Sequence, residues 1–432
     1  MRTMRDRLRS KFRHGSVARN AGWMFLGQGI STLNQGIYFL VLARLLGLTQ
    51  YGVLVGAGAV VSLVGQYGSL GFGYVFLRYV GQDRQRFPVY WGNMLLLTAV
   101  LGTLIVAGLY VAAPWLLRST PVSLLVCLAI GECLCSQLTL CCGQVFQTYE
   151  RMSMTAMLNQ LTNFLRMVLA IILLVTMHHA SAWQWGYVSV SISGVAALSA
   201  VTIVLVRVGL PQLDLRLMRR RLSEGFVFAV SGSTSSAYND LDKAMLGHYG
   251  MNAANGIYTM AYRIVDIVYI PIRSIQAAAF PRFFRYGAEG LDATERYART
   301  ILNKTLLFGL AGAAGMFLLA PVAPYLLGHA FIKSVDAMRW LCLIPLFRCF
   351  HLSAGDAMAG AGYQRYRLGA QAAAVAFNFG ANLYLIPHFS WRGAAFASLL
   401  TDGGLGLLSW TVLLALKKRH SGAHLLVPVS TS

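Results

Sequence analysis

The chain has 432 residues, 56% of them apolar and 12% charged, with 36 lysines and arginines against 15 acids and a formal charge of +21. A soluble protein carries roughly 25% charge, whereas a helix that crosses a membrane takes about 20 mostly apolar residues. The composition therefore excludes a soluble enzyme, a disordered chain and a fibre. It also argues against nucleic acid as a partner, because the positive excess belongs to loops at one membrane face.

The start, MRTMRDRLRSKFRHGSVARN, is basic, and no small-residue cleavage site follows the next apolar stretch, so that stretch reads as a retained span. The first twenty residues suit anionic lipid headgroups as well as a solvated tail. Apolar runs then predict helices at 21–43, 52–76, 92–116, 122–147, 154–177 and 184–206. A basic linker, RVGLPQLDLRLMRRRL, occupies 207–222, and six more helices follow at 223–247, 255–280, 302–327, 335–360, 367–388 and 392–416. The tail is 417–432. The seventh helix is the weakest by hydropathy; removing it would put strongly basic loops on both faces.

With the N-terminus in the cytoplasm, the cytoplasmic segments hold 26 cations and the opposite side only 5: Arg44, Arg118, Lys333, Arg339 and Arg392. Cations gather on the cytoplasmic side of membrane proteins. The asymmetry therefore predicts a multi-pass membrane protein with both termini in the cytoplasm and an even number of spans.

The linker splits the chain into two six-helix halves, 21–206 and 223–416, that echo each other. LGLTQYGVL at 46–54 is matched by LGHYGMNAANGIY at 246–258, and Asn163-Phe164 by Asn378-Phe379. Six helices per half give both repeats one orientation, related by an axis along the membrane normal. The expected fold is all-α: twelve transmembrane helices in two six-helix bundles around a central cavity, with alternating access by rocking.

The chemistry should lie in polar groups that are costly to bury, at about 2.5–3.5 kcal/mol per charge at a helix centre. Five cations fall within predicted helices: Arg166, Lys243, Arg263, Arg273 and Arg348. Six acids do likewise: Glu132, Asp240, Asp242, Asp266, Asp356 and Asp402. In the eighth helix Asp266 and Arg273 lie seven residues apart, about 20° around a helix, with Arg263 nearby and Tyr258, Tyr262 and Tyr269 beside them. Aromatic rings cover sugar faces, and guanidiniums bind phosphate oxygens in pairs. An Arg263–Asp266 bridge within the helix is the competing reading. The seventh helix adds Ser231, Ser233, Thr234 and Ser235, and either of its aspartates could take a proton or help hold Na⁺. In the fifth helix Asn159, Asn163 and Arg166 recur at helical spacing, and in the first Gln28 and Gln35 share a face.

The candidate binding residues for diphosphate and sugar are thus Asn163, Arg166, Lys243, Tyr262, Arg263, Tyr269, Arg273 and Arg348. The candidates for ion coupling are the six acids. The sequence offers no phosphate loop and no HExxH or GxSxG motif. No catalytic residue, metal or cofactor is expected, His178-His179 reads as solvated, and the seven cysteines read as small apolar residues in helices. Energy would come from an ion gradient, the membrane potential or the substrate gradient.

Three segments carry a resemblance to a known family. NAGWMFLGQGISTLNQGIYFLVLARLLGLTQYGVL is similar to the start of Wzx-like bacterial polysaccharide-transport flippases. DLDKAMLGHYGMNAANGIYTMAYRI resembles their seventh-to-eighth helix connection, and NFGANLYLIPHFSWRGAAFASLLTD their eleventh-to-twelfth. This family belongs to the exporter superfamily that includes multidrug MATE antiporters. The resemblance implies a MATE-like fold with a cationic cavity. It also implies a substrate, undecaprenyl-diphosphate-linked oligosaccharide, moved between membrane leaflets for exopolysaccharide or lipopolysaccharide synthesis. Membrane lipids are the surrounding partner, and a polysaccharide polymerase or export complex is a candidate protein partner. The alternative is an ion-coupled small-molecule antiporter, which the near balance of five intramembrane cations against six acids weakens.

Overall fold

The computed structural model describes residues 4–177 and 179–424, with the side chains of 4–28, 159, 231, 234, 235 and 420–424 left aside. The roles considered for the basic N-terminal side chains and for Gln28, Asn159, His178, Ser231, Thr234 and Ser235 lie outside what is described. The described residues are helices and short turns, with no strand among them. Nine helical stretches among them are long and apolar enough to cross a membrane. The protein is an all-α, multi-pass membrane protein.

By packing, the chain forms two compact units, residues 1–252 and 253–432. In the first, α1 (Met4–Gly65) carries the first two expected spans and breaks at Gly47, where φ is 69° and ψ 175°. Glycine enters that region without the steric penalty other residues meet. The LGLTQYG segment is therefore the bend between two spans. The second span ends earlier than expected, at Gly65, because GQYGSLG at 65–71 is too rich in glycine to hold a helix. A separate short helix, α2 (Phe72–Gln82), follows it.

Next come α3 (Phe87–Leu116), α4 (Val122–Ala129) and α5 (Gln137–Thr148). The last two are joined by a π-helical turn at Ile130–Ser136, so the fourth span carries a local bulge around Glu132. The fifth and sixth spans are α6 (Met152–Met177) and α7 (Ala182–Arg207). An aromatic core of Phe72, Phe76, Phe87, Tyr90, Trp91 and Phe146 fills this unit. The cysteines of both units are buried and free, in keeping with an apolar packing role.

The expected linker 207–222 is only half a linker, since α8 (Leu215–His248) starts within it. Asp214 accepts the Leu217 N–H at 2.9 Å and caps the helix. The buried Asn93 side chain holds the Asp214 backbone from both sides, at 3.0 Å to its N–H and 3.0 Å to its carbonyl. The helix then packs along α1. A Cβ on Gly247 would lie 3.0 Å from the Gly56 Cα, so the two backbones touch at that level. Close approach at small residues is how helices associate in lipid. The first unit consequently ends at Asn252, one helix beyond the basic linker.

The second unit contains α9 (Asn252–Ala288), α10 (Leu291–Leu319), α11 (Ala323–Leu327), α12 (Ser334–Leu341), α13 (Ile344–Gly360), α14 (Gln364–Phe389) and α15 (Trp391–His424). The expected tenth span, 335–360, is two helices that part just before Pro345, a residue suited to a helix's first turn. The last helix runs to His424, past the expected start of the tail at 417. Phe283, Met358 and Leu413 are among its buried core.

Candidate functional site

In the second unit, one arginine gathers residues from three helices. Arg348 on α13 is almost wholly buried, where a lone charge would be prohibitive. Its Nη1 lies 3.6 Å from Asp266 Oδ1 on α9, and its Nε 3.9 Å from Asp402 Oδ2 on α15. The guanidinium sits over the rings of Tyr269 and Tyr262, 5.1 and 5.7 Å from their centroids. Such cation–π contacts add attraction in a dry setting. The other oxygen of Asp402 lies 3.5 Å from His351 Nε2. The arrangement fixes Arg348 and leaves little of its charge uncompensated.

The same α9 face reaches outward. Arg263, Asp266 and Arg273 are all exposed, while Tyr262 turns inward against Arg348. Arg273 forms no ion pair among the described residues. Asp266 is thus the meeting point of the exposed stripe and the buried network. The remaining acid of this unit, Asp356, is buried and paired to Arg367 at 3.0 Å.

In the first unit, Lys243 of α8 donates to Asp240 Oδ1 at 2.8 Å, one helical turn away. The second Asp240 oxygen accepts Ser62 Oγ of α1 at 2.8 Å, and Ser233 Oγ donates to the Leu63 carbonyl at 3.0 Å. Asp240 and Ser233 thus tie α8 to α1. Asp242, also buried, accepts the backbone N–H of Lys243 at 3.2 Å.

Arg166 on α6 differs from these. Its Nη2 donates to Ser193 Oγ of α7 at 2.7 Å, but its buried Nε has no hydrogen-bond partner among the described residues. No carboxylate pairs with it there either. Asn163, three residues earlier, is half-buried. Glu132 is exposed at the π-helical turn.

The sequence-selected residues therefore fall into groups. Tyr262, Asp266, Tyr269, Arg348 and Asp402 come together; Asp240 and Lys243 form a pair; Arg166 and Asn163 share one helix; Asp356 is paired elsewhere. His351 is a member that sequence reasoning passed over. Its place three residues after Arg348 is the signal that could have found it, since that spacing puts both on one side of a helix. Arg367, the partner of Asp356, gives no comparable signal.

A family profile described as polysaccharide biosynthesis protein matches residues 17–287. The chain belongs to this family. Among curated proteins no sequence matches it. Several solved structures share its fold. A multidrug resistance MATE family transporter of the MOP superfamily, in its inward-facing conformation, is 18% identical with a TM-score of 0.71, covering 89% of this chain and 96% of that one. The outward-facing conformation of such a transporter gives 17% and 0.59, covering 93% and 96%. A MOP superfamily transporter from Pyrococcus furiosus, described by the reverse polarity of its binding pocket, also gives 17% and 0.59 over 93% and 96%. This member of the polysaccharide biosynthesis family thus has the MATE fold anticipated from its sequence.

Proposed function

We propose that the protein is a flippase carrying undecaprenyl-diphosphate-linked oligosaccharide repeat units across a bacterial inner membrane for surface polysaccharide synthesis. Chiefly one observation supports this. In a family described by polysaccharide biosynthesis, two arginines in the spanning helices, Arg166 and Arg273, have no carboxylate partner among the described residues. A charge kept in a membrane span is costly unless it is functional, and guanidinium groups match phosphate oxygens two bonds at a time. Arg263 is exposed on the same helix as Arg273, and Arg348 forms a charge-paired centre with Asp266 and Asp402 behind them. Tyr262 and Tyr269 belong to that centre.

The orientation is part of the proposal: the excess of cations puts both termini in the cytoplasm. So is the repeat, 21–206 and 223–416, for a repeat and a packing unit need not divide at the same residue. The polyprenyl tail stays in lipid while diphosphate and sugars take the polar route. Glu132 and Asp266, the exposed acids of the six, are the groups proposed to exchange protons or ions with each cycle. The remaining acids keep structural ties and serve as coupling candidates only through them.

The test uses Arg166→Gln and Arg273→Gln, single variants of the full chain. In cells, surface glycan should fall at least ten-fold and lipid-linked intermediates should accumulate. In proteoliposomes, transfer of a fluorescent polyprenyl-diphosphate oligosaccharide should slow to match. Unchanged glycan export together with lost drug resistance would replace this reading with the small-molecule antiporter.

A further inference from the structure

A hollow of about 490 Å³ opens at the end of the second unit between α11 and α12. That volume lies in the range of small-molecule sites. Lys333, immediately before α12, and Arg339, in its last turn, both line it. Tyr325, Pro324 and Pro321 give it an apolar wall, and His329 also lines it.

Two features set this hollow apart. The first is topological. Cations are selected against in outer loops, and the outer side holds only 5, of which Lys333 and Arg339 share this one hollow. The second is electrostatic. Neither cation forms an ion pair among the described residues, although Asp336 stands on the same lining. The Arg339 guanidinium lies 5.3 Å from the centroid of the Phe317 ring, which steadies it. Contact through its face leaves the N–H edge open to an acceptor.

We propose that this hollow binds the acidic sugars of a glycan emerging on the outer side, with carboxylate held by Arg339 and Lys333. A flat apolar wall of tyrosine and proline suits the C–H face of a pyranose, and Asp336 and His329 suit its hydroxyls. A phosphate group alone would leave most of the space empty, which favours a sugar over an isolated anion. The inference rests on the orientation and the glycan reading proposed above, and is tested apart from them.

The full-length protein in phosphatidylcholine nanodiscs is titrated with a tetrasaccharide containing one glucuronate and with its neutral counterpart. The acidic probe should bind at least ten-fold more tightly. Lys333→Gln and Arg339→Gln should each weaken it five- to ten-fold without moving the thermal unfolding midpoint. Repeating the titration in phosphatidylglycerol nanodiscs separates a sugar site from a lipid-headgroup site. Affinity within two-fold supports the sugar; a ten-fold loss assigns the hollow to anionic lipid and overturns the proposal. Equal binding of both probes, or full affinity in both variants, overturns it as well. The probe has neither diphosphate nor prenyl tail. Intact flipping without probe binding therefore sinks this inference alone, and probe binding without flipping sinks only the flippase.

Discussion

Arg348 Nη1 stands 3.6 Å from Asp266 Oδ1, one side chain almost wholly buried and the other half exposed. The pair ties the core of the second unit to the exposed stripe of α9. Its two ends are not equivalent. Arg348 has Asp402 as a second, buried carboxylate, whereas Asp266 can be served by water.

That asymmetry gives the first prediction. Arg348→Ala takes the guanidinium away from the buried Asp402 and should cost about 3–5 kcal/mol. Asp266→Ala removes an exposed partner and should cost under about 1 kcal/mol. Thermal unfolding in detergent reads both. Equal losses would mean that Asp402 does not depend on Arg348.

The Lys243–Asp240 pair behaves differently because both members lie on α8 and the carboxylate also holds α1 through Ser62. Lys243→Met takes the ammonium from Asp240, and Asp240→Asn takes the carboxylate charge from this contact with Lys243. Each should lower stability by about 1–3 kcal/mol. The double variant should be less destabilised than the two losses added, since neither partner is then left alone. A strictly additive cycle would deny the pairing.

The helices were legible because long apolar runs with charged ends can do little else in lipid, and the MATE-like fold followed from that and from three short resemblances. Where helices break was less so. The second span ends at Gly65 through a run of glycines, and the π-helical turn at Ile130–Ser136 has no marker in its composition. The pair Lys243–Asp240 was within reach of helical spacing, since residues three apart are neighbours on one helix face. The partnership of Arg348 with Asp402 was not. It depends on how α13 meets α15, and periodicity within one helix cannot give the register between two. The same holds for Arg166 with Ser193, which joins α6 to α7.

The start of α8 rests on Asn93. This side chain is fully buried and grips both backbone groups of Asp214. Asn93→Ala removes two bonds at once, although the Asp214 carbonyl keeps its helical bond from the Met218 N–H. A cost of about 1–3 kcal/mol follows, with Asp214→Ala costing about 1 kcal/mol through loss of the cap alone. Limited proteolysis around 207–222 should quicken in the first variant more than in the second. The reverse order would show that the cap, not the Asn93 clamp, sets where the helix begins.

Gly247 tests the seam between α8 and α1. An added methyl there would meet the Gly56 backbone at 3.0 Å, a position that cannot yield by turning a side chain. Gly58, two residues further along α1, has nothing within 4 Å of its would-be Cβ. The same substitution should therefore act in opposite directions. Gly247→Ala should destabilise by about 1–3 kcal/mol as the helices are forced apart, while Gly58→Ala should be neutral or stabilise by up to about 1 kcal/mol through helix propensity. Differential scanning in detergent measures both shifts. If Gly247→Ala unfolds no earlier than Gly58→Ala, the two helices are not in backbone contact at that level, and the assignment of α8 to the first unit loses its main support.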